Sequence, residues 1–215
     1  MSQVFISVDV EVTDTDPVHG RLMQVGLVAE DGSELELVFP VKNTSKTSDW
    51  VRENLQELLE DCWRAYSYAF APVHVRRRGI NGIFFAQVQK MHTWVQQRRM
   101  AAVSTPEPKP EGGFKLRAAD SALAEVQAVM VCYCGGLDWG FVTRAFAHCG
   151  LENPFHYEFI EISSLAMGKL GLDYGFPESD LEEALGIDPM VEGTKHNALE
   201  DAKHQLDEFQ ALMRL

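Results

Sequence analysis

VFISVDVEV, residues 4–12, is the stretch whose reading decides the fold. It is β-branched and apolar with acids on alternate positions. TDTDPVHG (13–20) then supplies turn residues before LMQVGLVAE (22–30) and ELELVFPV (34–41) continue as strands. This spacing predicts a three-stranded antiparallel opening meander. Strand residues two apart share a face, so Asp9 and Glu11 project together. Burying two such acids costs several kcal/mol unless a cation such as Mg²⁺ or Mn²⁺ sits between them. For this pair alone, a half-exposed strand with solvated acids is the competing reading.

Downstream, SDWVRENLQELLE (48–60) has Ser48 or Asp49 as N-cap and apolar residues at helical spacing. A second helical pattern covers Phe84 to Arg99. APVHVRRRGING (71–82) and STPEPKPEGG (104–113) are irregular, and the latter is expected to be a surface loop rather than a domain linker. VMVCYCGG (129–136) is a buried strand in expectation, and the helix LDWGFVTRAFAHCG (137–150) ends at Gly150. A short acidic helix near Glu178 to Leu185 and a final one in ALEDAKHQLDEFQALMRL (198–215) complete the chain. The fold class is α/β: a mixed central sheet, meander first and then alternating helices and strands, flanked by helices.

With 215 residues, 46% of them hydrophobic, the chain can bury one substantial core, and a single domain over 1–215 is expected. No run of 18 apolar residues appears, and the N-terminus lacks a signal peptide's basic head and cleavage site. A cytoplasmic protein with no membrane partner is the expectation. Cys62, Cys132, Cys134 and Cys149 form no C-x-x-C knuckles and read as buried thiols rather than zinc ligands. The balance of 19 basic against 32 acidic residues gives −13, which excludes coating duplex nucleic acid by charge alone. It leaves room for an enzyme that carries divalent cations to a phosphodiester.

Two further acids join the first pair. Asp138 follows the predicted buried strand at a helix start, where an acid also serves simply to complement the helix dipole. In KHNALEDA (195–202), His196 lies five residues before Asp201. Five residues do not stack on one helical face, so the two converge best if His196 precedes the helix, Asn197 caps it and Asp201 projects from its first turns. The histidine then sits on a movable segment and the aspartate on a rigid one, which suits a base and a ligand respectively.

In order, the motifs read D-x-E, D and H-x-x-x-x-D. Together they resemble the DEDD superfamily of 3′–5′ exonucleases in its histidine subclass, on a ribonuclease H-like fold. VDVEV is similar to its first motif, YCGGLDWGFVTRAF to its second and KHNALEDAKHQ to its third. The run from GGLDWGF to HNALEDA most resembles the small bacterial and phage group related to the mycobacterial oligoribonuclease-type enzyme. The likeness covers residues 4–40 and 128–212 and fades between about 44 and 117, an atypical segment.

The resemblance implies two ions, Mg²⁺ or Mn²⁺. Asp9 would bridge both, Glu11 and Asp201 would hold the nucleophile-side ion, Asp138 would serve the other, and His196 would act as general base. It further implies substrate contacts at Val12, Thr13, Trp139, Phe141 and Asn197. Base stacking competes at Trp139 and Phe141 with ordinary core packing. Where many relatives carry Asn or His ahead of the second aspartate, this chain has Tyr133, Gly135 and Gly136.

The implied partner is the 3′ end of a short single strand of RNA or DNA. Arg76, Arg77, Arg78, Arg98 and Arg99 concentrate positive charge and fit either phosphate contacts or a solvated surface. The apolar residues of the middle segment fit either the core or a homodimer interface. Two rival functions share these acids: a catalytically silent binding or interaction module, and a ribonuclease H-like endonuclease. The histidine five before the last aspartate favours the exonuclease.

Overall fold

The computed structural model describes residues 2–16, 18–42, 46–68, 79–104, 126–191 and 194–215. The meander is present as β1 (Ser2–Val12), β2 (Leu22–Ala29) and β3 (Glu34–Val38), paired antiparallel in sequence order. β4 (Val126–Cys132) returns on the other side of β1 and runs parallel to it, and the two-residue β5 (Ile160–Glu161) is parallel to β4. The sheet order is therefore β3-β2-β1-β4-β5, with β1 at its centre.

Seven helices lie among the described residues: α1 (Asp49–Asn54), α2 (Gln56–Tyr68), α3 (Gly79–Ser104), α4 (Gly135–His148), α5 (Ile162–Leu170), α6 (Glu178–Leu185) and α7 (Ala198–Arg214). None is long and apolar enough to cross a membrane.

Alternation along β1 divides its residues between two cores. Ile6, Val8, Val10 and Val12 belong to one cluster with Val88, Met91 and Val95 of α3 and Phe141, Val142 and Phe146 of α4. Phe5 joins the other, where Ile162, Leu181, Ala202, Leu206, Phe209 and Leu212 of α5, α6 and α7 pack. Phe5 meets Phe209 with ring centroids 5.1 Å apart. β2 is buried along its whole length, as a strand covered on both faces should be. A third cluster packs Val51, Leu55, Leu59 and Cys62 of the α1–α2 region on Met23 and Val41. Apolar residues of the middle segment thus supply core.

Several expectations need correction. The single helix read from Ser48 to Glu60 is two, broken at Leu55, which turns inward as the C-cap of α1 while Ser48 caps the start. The helix read from Phe84 to Arg99 extends from Gly79 to Ser104. Of the four thiols only Cys62 and Cys132 are buried; Cys134 is exposed and Cys149 half-buried. The run Arg76–Arg78 and most of the loop 104–113 lie outside the described residues.

A close backbone approach fixes α7. A Cβ placed on Gly26 would lie 2.0 Å from the carbonyl oxygen of Ala198, so the first turn of α7 rests directly on β2 where there is no side chain. Gln24 anchors the same turn, its Oε1 accepting the Ala198 N–H at 3.1 Å. Replacing Gly26 with Ala forces backbone against backbone and should lower stability by about 1–3 kcal/mol, the usual scale of overpacking. Chemical denaturation reads this directly; an unchanged midpoint would mean that α7 does not sit where described.

Candidate active site

The register of β1 on β2 places Gly26 opposite Asp9 and Gln24 opposite Glu11. The two residues that admit and anchor α7 are thus the cross-strand neighbours of the acidic pair, and the helix arrives beside it. Asn197 caps α7 through its side-chain oxygen, which accepts from Leu199 N at 3.1 Å and Glu200 N at 3.2 Å. Asp201 follows in the first turn. His196, just before the cap, has φ = 65°, the sole non-glycine residue at positive φ among those described. That turn lets its backbone N–H reach the Asp201 carboxylate and brings Nδ1 to 3.9 Å from Glu11 Oε1.

Asp138 enters from the other side of β1. β4 ends at Cys132, α4 begins at Gly135, and Asp138 lies in its first turn. It is only 2% exposed, so it is no ordinary surface acid tuning a helix dipole. Backbone N–H groups of Cys134 and Val10 hydrogen-bond its carboxylate, and Val10 lies between Asp9 and Glu11 on β1.

These acids share one electrostatic environment. Burial pushes Glu11 up to about 9, with Asp9, Asp201 and Asp138 adding like-charge repulsion. Burial and then Asp9 raise Asp201 to about 7, against the His196 N–H. Asp9 rises to about 6 by burial, opposed by a hydrogen bond from Gln205, and Asp138 is held well above the usual carboxylate range by burial and Asp9. Near neutral pH such a cluster needs either protons or a cation.

The donors suit a hard divalent ion. Glu11, His196 and Asp201 offer ligand atoms all within 4.8 Å of one another. Asp9 and Asp138 stand outside that trio but act electrostatically on Glu11 within it. The four carboxylates make an all-oxygen donor set, which suits Mg²⁺ or Mn²⁺, with the His196 imidazole beside it.

Residues that sequence reading missed complete the surroundings. Gln205, one turn beyond Asp201, donates from Nε2 to Asp9 Oδ1 at 2.8 Å. Trp50 of α1 meets the His196 ring edge-on, centroids 4.9 Å apart and planes at 85°, although Trp50 is 48% exposed. The i, i+4 spacing of Asp201 and Gln205 was visible; the partnership with a residue 196 positions away was not.

The expected substrate contacts fare unevenly. Val12 and Phe141 are core side chains, and Thr13 is fully buried with its hydroxyl accepting from Arg21 N at 2.9 Å, so these three side chains are committed to packing and to the turn. The Asn197 side-chain oxygen is committed to capping. Trp139 is half-buried and stacks on Phe159 at 5.6 Å and 26°. Arg98 is engaged by Asp31, Ser33 and the face of Trp94, and Arg99 donates to the Val126 carbonyl at 2.9 Å, so neither is a solvated cation awaiting phosphate.

No protein-family model and no curated protein matches the chain. Solved structures do. The nuclease domain of 3′hExo, a DEDDh family member bound to rAMP, superposes with a TM-score of 0.55 at 15% identity, over 98% of this chain and 91% of that one. Product-bound exonuclease I gives 0.55 at 12% identity over the whole of this chain, and the zinc-bound E. coli exonuclease I–ssDNA complex gives 0.52 at 12%. The chain spans 44% and 41% of those two exonuclease I chains. The fold is the ribonuclease H-like arrangement of these exonucleases.

The raised carboxylates fix the pH dependence of the ion-free protein. Unfolded, these acids titrate near 3.8–4.5; folded, Asp9, Asp201 and Glu11 titrate near 6, 7 and 9. Between those values the folded state binds more protons, so stability must fall as pH rises. The Tm of chelator-treated protein is expected to drop steadily from pH 5 to pH 9, and Mn²⁺ should restore it by an amount that grows with pH. A Tm indifferent to both would remove the case for a crowded acid site.

Proposed function

We propose that the protein is a divalent-metal-dependent 3′–5′ exonuclease acting on short single strands of RNA or DNA and releasing nucleoside 5′-monophosphates. The observation that carries this is the convergence of Asp9, Glu11, Asp138 and Asp201, from three separate elements, with His196 against Glu11. The shared fold of the DEDDh exonucleases supports it.

Asp9, Glu11, Asp138 and Asp201 would hold two ions, which when bound lower the pKa of water and neutralise charge developing on the phosphoryl group. The chain's own residues do the rest. His196 takes the proton from the attacking water. The Trp50 edge and the left-handed turn at His196 set the ring's position, while Gln205 fixes the Asp9 carboxylate. With a net charge of −13, few phosphates can be engaged, so a short footprint and shallow salt dependence follow.

The decisive assay follows 5′-labelled single-stranded RNA and DNA of equal sequence with Mn²⁺ or EDTA, beside a circular single strand. Stepwise shortening from the 3′ end, an intact circle and loss of activity in Asp9→Ala are expected. Cutting of the circle would make the protein an endonuclease; full activity in Asp9→Ala would falsify the site assignment.

His196→Ala should slow turnover by about 10²–10⁴-fold with ion binding retained, the scale of a lost general base. If ion binding disappears instead, His196 is a ligand. Gln205→Ala should cost about 10–100-fold in ion affinity, as expected when a group orienting a metal-binding carboxylate is lost. A titration of activity against Mn²⁺ measures this.

A further inference from the structure

A second cluster lies on the face that α6 and α7 turn to each other. Glu178 and Glu182 stand four apart on α6, as His204 and Glu208 do on α7, so each pair shares one helical face. Glu178, Glu182 and His204 offer ligand atoms all within 4.8 Å of one another. His204 Nε2 is 3.0 Å from Glu182 Oε1 and 3.7 Å from Glu208 Oε1.

These are not surface acids. Glu208 is 0% exposed, Glu182 6% and His204 9%. Glu182 Oε1, His204 Nε2 and both Glu208 carboxylate oxygens have no hydrogen-bond partner. The short His204–Glu182 approach is therefore close but not aligned for proton donation: two lone-pair-bearing atoms converge on common space. Lys195 Nζ, at 2.8 Å from Glu178 Oε2, satisfies only the outer edge.

A buried carboxylate with both oxygens unpartnered, as in Glu208, costs several kcal/mol, and the unpartnered Glu182 Oε1 beside the same imidazole adds to the cost. A proton satisfies one acceptor, whereas a divalent ion can be shared by the mutually close trio Glu178, Glu182 and His204, with Glu208 next to His204. Donor atoms about 2.1 Å from a tetrahedral ion lie about 3.4 Å apart, between the 3.0 and 3.7 Å that separate His204 Nε2 from Glu182 and Glu208.

We propose that Glu178, Glu182 and His204, joined by the neighbouring Glu208 when an ion draws it in, form a Zn²⁺ site that clamps α6 to α7. Imidazole with carboxylate is a zinc donor set, softer than the all-oxygen sets that suit Mg²⁺. The ion would brace the helix that also carries Asp201 and Gln205. This site neighbours the Asp9 cluster, on which Glu178 acts electrostatically, but shares no side chain with it and does not depend on the reaction proposed for it.

The test uses the full chain as Glu11→Gln/Asp201→Asn, so that the first cluster no longer offers its donor trio, stripped with chelator and dialysed against Zn²⁺. About one equivalent should bind, and Tm should rise by about 5–10 °C when free Zn²⁺ exceeds its dissociation constant a hundredfold. Adding His204→Gln should abolish both effects. Adding Glu208→Gln instead keeps the side chain's size while removing a carboxylate donor, so that variant should fold comparably while losing the visible absorption of bound Co²⁺. Less than about half an equivalent bound, or equal binding with and without His204 and Glu208, would overturn the proposal.

Discussion

Negative charge crowded onto one end of β1 is the constraint around which the rest is arranged. Asp9 and Glu11 sit on the central strand of the sheet, with β2 and β4 on either side and α7 beside them. A strand in that position would ordinarily carry apolar residues on both faces. Two acids there, joined by Asp138 and Asp201, hold each other's protons tightly, and the ion-free fold bears their repulsion. The apolar face of the same strand, Ile6 to Val12, packs on α3 and α4 and anchors it.

That arrangement also explains two positions that look unremarkable in isolation. Gly26 interrupts an otherwise apolar strand and Gln24 is a buried amide; both are cross-strand partners of the acids. The first leaves space for the backbone of α7, and the second grips its first turn while its amide donates to Glu36. Delivery of His196 and Asp201 is thus a property of β2 as much as of α7.

The meander, the order of helices and strands, and the identity of the converging acids could be read from the sequence because each is local. Alternation gives strands, 3.6-residue spacing gives helices, and Asn197 marks a helix start by its own chemistry. What escaped was set by partners far along the chain. Gln205 and Trp50 acquire meaning only beside Asp9 and His196. Leu55 breaks a helix because it turns in toward Met23 and Val41. Phe141 could not be assigned from spacing alone, since a core aromatic and a stacking platform share the same period; its neighbours on β1 and α3 decide.

The left-handed backbone at His196 has a corollary for stability. An imidazole-bearing residue there is strained by about 1–2 kcal/mol relative to a conformation that glycine adopts freely. Glycine at this position would relax the backbone and remove the imidazole from beside Glu11 in a single step. Backbone ease and an imidazole beside the acids therefore pull this position in opposite directions, and the chain keeps the imidazole at a cost in stability.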